Sequence, residues 1–165
     1  LSMAVSTVIK HFTDGTIELA DGTGTPVTLT VPFSQGDFSI SGVQESQKAV
    51  NVYQSRGTLH SLRLGEKTFV SGSFSAMLAD VSDASAGNLL DFIQKANAYS
   101  GNTSTSSNGD VYTIKITLTI EGTDLGDSAD HTIVLDDCAC TADVSEGEPD
   151  SISISFTSYA DPVMT

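Results

Sequence analysis

Residues 111–120, VYTIKITLTI, alternate without a break. Tyr112, Ile114, Ile116, Leu118 and Ile120 fall on one side of an extended chain, and Val111, Thr113, Lys115, Thr117 and Thr119 on the other. A period of two puts successive side chains on opposite faces of a strand, so this segment offers one face to a core. The pattern returns in VTLTVPF, residues 27–33, where Val27, Leu29, Val31 and Phe33 oppose Thr28, Thr30 and Pro32. It returns again in SISISFTS, residues 151–158, with Ile152, Ile154 and Phe156. Pro32 lacks an N–H for a ladder and predicts an edge position or a bulge. Further strands are expected over 5–12, 16–19, 38–41, 49–54, 58–64 and 131–142, with Asp14-Gly15 as a hairpin turn between the first two. In 131–142, Ile133 and Leu135 share a face, whereas Val134, Cys138, Cys140 and Ala142 have the opposite parity. That switch predicts a bulge near Asp136 and Asp137, with the two ends facing different layers.

One helix interrupts the strands. After Gly87, Leu89, Ile93 and Ala96 follow a helical period and form its packing face, with Leu90 and Phe92 widening the stripe. Asn88 is placed to cap its start, Asp91 lies in the first turn where a carboxylate favours exposed amides, and Gly101 is the expected stop. The helix should lie on a sheet. Residues 100–110, SGNTSTSSNGD, hold no charge before Asp110 and read as a flexible surface loop ending in an Asn108-Gly109 turn. With 165 residues and no interdomain linker, 1–165 is expected to be one mainly β domain.

Charge narrows the function. The chain carries 21 acidic against 7 basic side chains, a net charge of −14, which argues against gripping nucleic acid, because that affinity comes from Lys and Arg displacing counterions. The distribution is uneven. From Glu121 to Asp150 there are ten acids and no Lys or Arg, whereas Lys48, Arg56, Arg63 and Lys67 share their twenty-residue span with only Glu66 as an acid. Such asymmetry fits a basic region of one subunit meeting an acidic region of another, or two solvated faces.

The chemical motifs are sparse. His11, His60 and His131 have no helical metal spacing, and there is no phosphate-binding loop or nucleophile elbow, so no catalytic residues, metal or cofactor are expected. Asp124, Asp127 and Asp130 read as an acidic turn between strands rather than a calcium loop. The glycine-rich DGTIELADGTGTP, residues 14–26, reads as hairpin turns, since no helix follows to receive a phosphate. Cys138 and Cys140, in CAC, read as small buried hydrophobes. No apolar stretch approaches the length needed to span a bilayer.

Taken together, VYQSRGTLHSLRLGEKTFVSGSFSAMLAD, the helix LLDFIQKANAYS, the strand YTIKITLTIEG and the late SISISFTSYADP resemble the tail tube proteins of long-tailed bacteriophages, a family related in fold to the tube subunit of type VI secretion. The resemblance covers roughly residues 38–162. It implies a β-sandwich or barrel of antiparallel strands flanked by one α-helix. It also implies homo-oligomers, with six subunits in a ring and rings stacked into a hollow tube. DNA would pass through the lumen without specific binding, beside other tail proteins, in a virion whose parts are made in the host cytoplasm. Such a protein needs no catalytic group. In the family, an extended loop or hairpin and the chain termini reach adjacent subunits, and residues 34–50 are the candidate loop here. Lys48, Arg56, Arg63 and Lys67 are then expected to approach Asp124, Asp127 or Asp130 of a neighbour. A tail terminator or connector ring would use the same scaffold. An immunoglobulin-like binding or adhesion module is the alternative of a different class.

Overall fold

The computed structural model describes residues 3, 7–81, 85–123 and 126–165. Its strands are β1 (Gly15–Ala20), β2 (Thr28–Thr30), β3 (Ser39–Ser41), β4 (Lys48–Ser55), β5 (Thr58–Lys67), β6 (Val70–Met77), β7 (Ile114–Ile120), β8 (His131–Ser145), β9 (Ser151–Ser158) and β10 (Val163–Met164). One helix, α1 (Leu89–Gln94), lies between β6 and β7. All pairings are antiparallel. The larger sheet runs β2-β1-β7-β8-β9-β6-β3 with β10 added to β8, and β4 and β5 form a separate two-stranded sheet.

The long strand β8 joins two halves of the sheet. Its first part pairs with β7 and β10, and its second part with β9. Between them lies the expected bulge: Ile114 opposes Cys138 and Ile116 opposes Leu135, so Lys115 faces both Asp136 and Asp137. Asp137 takes a positive φ of 50°. The inserted residue resets the side-chain parity. Ile133, Leu135 and Cys138 therefore all enter one core, with Cys140 and Ala142 packed against it. The sheet folds over at this bend into a sandwich-like arrangement. Ile17, Leu19, Ile116 and Leu118 come from one side, and Phe74, Ile154 and Phe156 from the other. Phe38 stacks on Phe74 and Phe156 at centroid distances of 6.2 and 6.0 Å.

Sequence alternation translates directly into burial in β7, where Ile114, Ile116, Leu118 and Ile120 are buried and the residues between them are not. β2 lies at a sheet edge, as Pro32 predicts. Gly72 in β6 permits a tight approach of β3, because a Cβ there would collide with the carbonyl of Ser39 and the ring of Phe156. The Asp14-Gly15 hairpin does not form. Residues 7–11 hold no strand, Phe12–Asp14 make a 3-10 turn, and β1 starts at Gly15; residues 5 and 6 of the expected first strand lie outside the described residues.

The helix is shorter than its periodicity implies. Asn88 caps it through a bond from the Asp91 N–H at 2.9 Å, but Lys95 in the left-handed region (φ 54°) closes it, well before Gly101. Leu89 is buried and Ile93 half-buried, whereas Ala96 lies beyond the helix and precedes a 3-10 turn over Asn97–Tyr99. Two contacts favour the break. The Asp91 carboxylate accepts bonds from the side-chain amides of Asn88 and Asn97 (2.9 and 3.0 Å), and the Tyr99 ring meets Phe92 at 4.8 Å. A straight helix would carry residue 99 about 10 Å along the axis from residue 92.

Residues 100–110 form no strand or helix, yet they are stitched down. Asn102 is buried and donates to the Tyr112 hydroxyl (3.2 Å); Thr105 N–H bonds the Thr113 carbonyl; and the Ser104 and Thr113 hydroxyls lie 2.7 Å apart. The buried Asp21 carboxylate ties this loop to the β1–β2 turn. It accepts from the N–H groups of Val27 (2.7 Å) and Thr103 (3.1 Å) and from the Thr23 hydroxyl (2.9 Å). Burial disfavours the Asp21 charge, but these donors outweigh it and hold its pKa below the usual carboxylate value. Within the glycine-rich 14–26 segment, residues 15–20 thus form β1, and a turn built around Asp21 follows.

Candidate subunit interface

β4 and β5 are joined by the two-residue turn Arg56-Gly57, both at positive φ (51° and 78°), a geometry that matches the right-handed strand twist. Cross-strand register places Val50 opposite Leu64, Val52 opposite Leu62 and Gln54 opposite Leu59. Directly opposed residues share a face, so one side of the ribbon presents Val50, Val52, Leu59, Leu62 and Leu64. The other side presents Asn51, Tyr53, Ser61 and Arg63. A register shift between Tyr53 and Gln54 accommodates His60.

Among the described residues, none covers this apolar face. Every residue from Val50 to His60 is exposed, and the five apolar side chains retain 56–60% of their surface. A two-stranded ribbon gains little stability by itself in water, so an exposed apolar face of this extent marks an interaction surface.

The root of the hairpin is fixed. Gln44 and Gln47 bracket a 3-10 turn over Glu45–Gln47: Gln44 N–H donates to the Gln47 side chain (2.7 Å), whose amide donates to the Gly42 carbonyl (3.0 Å). The Gln44 amide bonds Lys48 O and Thr68 Oγ1 (2.6 and 3.0 Å), bridging the two arms. Lys67 pairs with Asp161 at 3.0 Å, and Phe69 meets Tyr159 edge to face at 4.9 Å. The ribbon therefore leaves the body in a set direction.

Most of 34–50 is bound to its own subunit: Ser34 bridges Ala76, Gln35 N–H bonds Ser75 O, the Asp37 carboxylate takes the Ser75 N–H and hydroxyl, and β3 pairs with β6. The element that projects is 48–67. The chain's end is also held internally, since β10 pairs with β8, and Thr132 and Thr165 exchange backbone bonds of 2.8 and 3.0 Å.

Lys48, Arg56, Arg63 and Lys67 all lie on this hairpin. With Glu66 as its one acid, residues 48–67 carry a net charge of +3, leaving −17 on the rest of the chain. Within the subunit, these cations are not brought to the acids between β7 and β8. Asp124 lies outside the described residues. Asp127 accepts from Lys10 (2.7 Å) and His131 (3.1 Å); the Lys10 bond, with help from the Ser128 N–H and His131, holds its pKa well below the usual value. Asp130 accepts from the N–H groups of Gly122 and Thr123 (2.9 and 3.1 Å), which lower its pKa likewise. Both carboxylates organise their own loop.

The remaining sequence candidates resolve as packing. Cys138 is buried and free of disulfide, its thiol pushed up to about 12 by desolvation, and burial raises Cys140 as well. Among the described residues, no three His, Cys, Asp or Glu side chains are grouped to hold a metal ion, and no helix is long and apolar enough to cross a membrane. Sequence reasoning marked the hairpin's cations but missed its apolar face. The signal was present in the alternation of Val50 with Val52 and Leu62 with Leu64, which by itself reads equally well as a core-facing pattern.

No protein-family model matches this chain, and no curated protein matches it. Among solved structures, the chain is similar to one in the cryo-EM structure of the anti-feeding prophage baseplate, six-fold symmetrised. The alignment covers 99% of this chain and 97% of that one, with a TM-score of 0.50 and 10% sequence identity. At that identity the similarity is one of fold.

Proposed function

We propose that this chain is a non-enzymatic structural subunit of a phage-tail-like particle, whose copies close into six-membered rings that stack as a hollow tube for DNA. One observation carries the reading: a hairpin bonded at its root holds an apolar face in water, as a surface that docks on another polypeptide does. The fold likeness to a chain of a six-fold baseplate supports a tail-related role.

Charge fits the passage of DNA. A body of net −17 repels phosphates and lets a genome slide, whereas exposed Lys and Arg would grip it. The cationic hairpin belongs against a neighbouring subunit, where its charges are neutralised, and not in the bore. Light scattering after size exclusion and negative-stain electron microscopy across protein concentrations test the proposal. Rings or hollow filaments are expected. A monodisperse monomer at every concentration overturns it.

A further inference from the structure

The hairpin leaves one end of the molecule, and a second surface of complementary character occupies the other. β6 connects them. Its first residue, Val70, follows the hairpin root, and its last, Met77, lies seven residues further along the same strand, about 23 Å away. At the Met77 end the backbone elements stand side by side: Met77 pairs with Ser151, Ser151 with Ser145, and Met77 N–H bonds the Phe33 carbonyl at 3.1 Å. Phe33, Met77 and Val144 are all substantially exposed there. Beside them, Pro32, Met77, Leu78, Leu89, Leu90 and Ile152 line an apolar recess between the sheet and the start of α1.

Acids surround this end. Asp143 is exposed near the end of β8, Glu146 and Glu148 are exposed on the β8–β9 connection, and Asp150 joins that connection to the recess through a bond from Leu78 N–H to its carbonyl at 2.9 Å. Residues 143–150 hold four acids and no base.

We infer that this apolar, acid-rimmed end receives the hairpin of a second copy, so that the apolar face of β4–β5 covers the recess while Arg56, in the turn at the hairpin's tip, meets Glu146 and Glu148. The inference rests on the self-assembly proposed above and names the surface that completes it. Three observations converge. The net charges of the two surfaces are opposite, the recess offers apolar area to an apolar face, and the two surfaces lie at opposite ends of one rigid strand. The last point makes the contact heterologous: each copy gives its hairpin at one end and accepts one at the other, so a pair leaves both outer surfaces unfilled and growth continues until a ring closes or a stack extends. The acids of the β7–β8 loop are poorer acceptors, since Asp127 and Asp130 already bind donors of their own subunit.

Charge reversal tests this directly. Arg56→Glu in the hairpin and Glu146→Lys/Glu148→Lys in the body should each raise the concentration for half-assembly by about tenfold or more, and the three changes together in one chain should recover most of it. As a second measurement, Ser55→Cys and Glu148→Cys chains, purified separately and mixed under mild oxidation, should form a disulfide-linked heterodimer faster than either forms homodimers. Circular dichroism confirms that each variant is folded. If the unaltered chain never self-associates, the proposed function fails and this inference with it. If it assembles, and the hairpin reversal blocks assembly while the body reversal does not, only the receiving surface is wrong. Loss in both variants without recovery in the combined chain, and no preferential heterodimer, also overturns it.

Discussion

Replacing Val52 and Leu62 with threonine tests whether the apolar hairpin face is held for assembly or for folding. The two residues oppose each other across the ribbon, and threonine is β-branched and favours strands, so the hairpin itself should persist. Fully burying a Val or Leu side chain stabilises by about 1.5–3 kcal/mol. Val52 and Leu62 retain 56% and 58% of their surface in the subunit, so docking has roughly half of that left to gain, about 1 kcal/mol for each. Losing both should weaken each subunit contact by about 2 kcal/mol, close to 30-fold in its dissociation constant. Because neither side chain packs in the body, the melting temperature of dilute monomer should move little, the change in stability staying within about 0.5 kcal/mol. Sedimentation velocity over a concentration series reads the association, and a calorimetric melt of the dilute protein reads the stability. Assembly at unchanged concentration would refute the assignment. So would a fall in monomer stability as large as the loss in association, because it would show the face buried within its own chain.

Other outcomes follow from single groups. Asp21→Ala leaves the N–H groups of Val27 and Thr103 without their acceptor and should cost about 2–3 kcal/mol in urea unfolding. Phe92→Ala opens a cavity beneath α1 beside Tyr99 and should cost about 3–5 kcal/mol in the same measurement, leaving assembly intact wherever the variant is folded. Cys138 and Cys140 should react slowly with a thiol reagent at pH 8 in the native state and at ordinary rates in denaturant, since burial raises both thiols. Asp21, Asp127 and Asp130 have folded pKa values below the unfolded value of 3.8, so their contribution is full above that pH and is lost as pH falls through the lower folded values. Monomer unfolding followed by circular dichroism should therefore show stability falling steadily as the pH is lowered below about 4.

Several features were legible from local pattern alone. The two-residue period of 112–120 and 152–156 fixes which side chains face the core, because a strand has no other way to bury that set. The parity switch at Asp136-Asp137 announces the bulge, since one inserted residue is the least change that returns Cys138 to the face of Leu135. Asn88 marks a helix start through bonds made within its own first turn. Four cations between Lys48 and Lys67 are visible by counting.

Elsewhere, distant partners decided. The helix ends at Gln94 because Asn97 reaches back to Asp91 and Tyr99 folds onto Phe92, contacts that a helical period does not encode. The 100–110 loop is held down by Asp21 and Thr113, partners supplied by other turns and strands. Above all, alternation in β4 and β5 identifies an apolar face without saying what covers it. The sequence alone determined that this chain makes amphipathic strands and sets a basic segment within an acidic chain. Only the tertiary structure decided that one pair of those strands stands clear of the core, because a core takes in the faces that chain connectivity lets it reach, and the hairpin, rooted at the end of β6, points away from it.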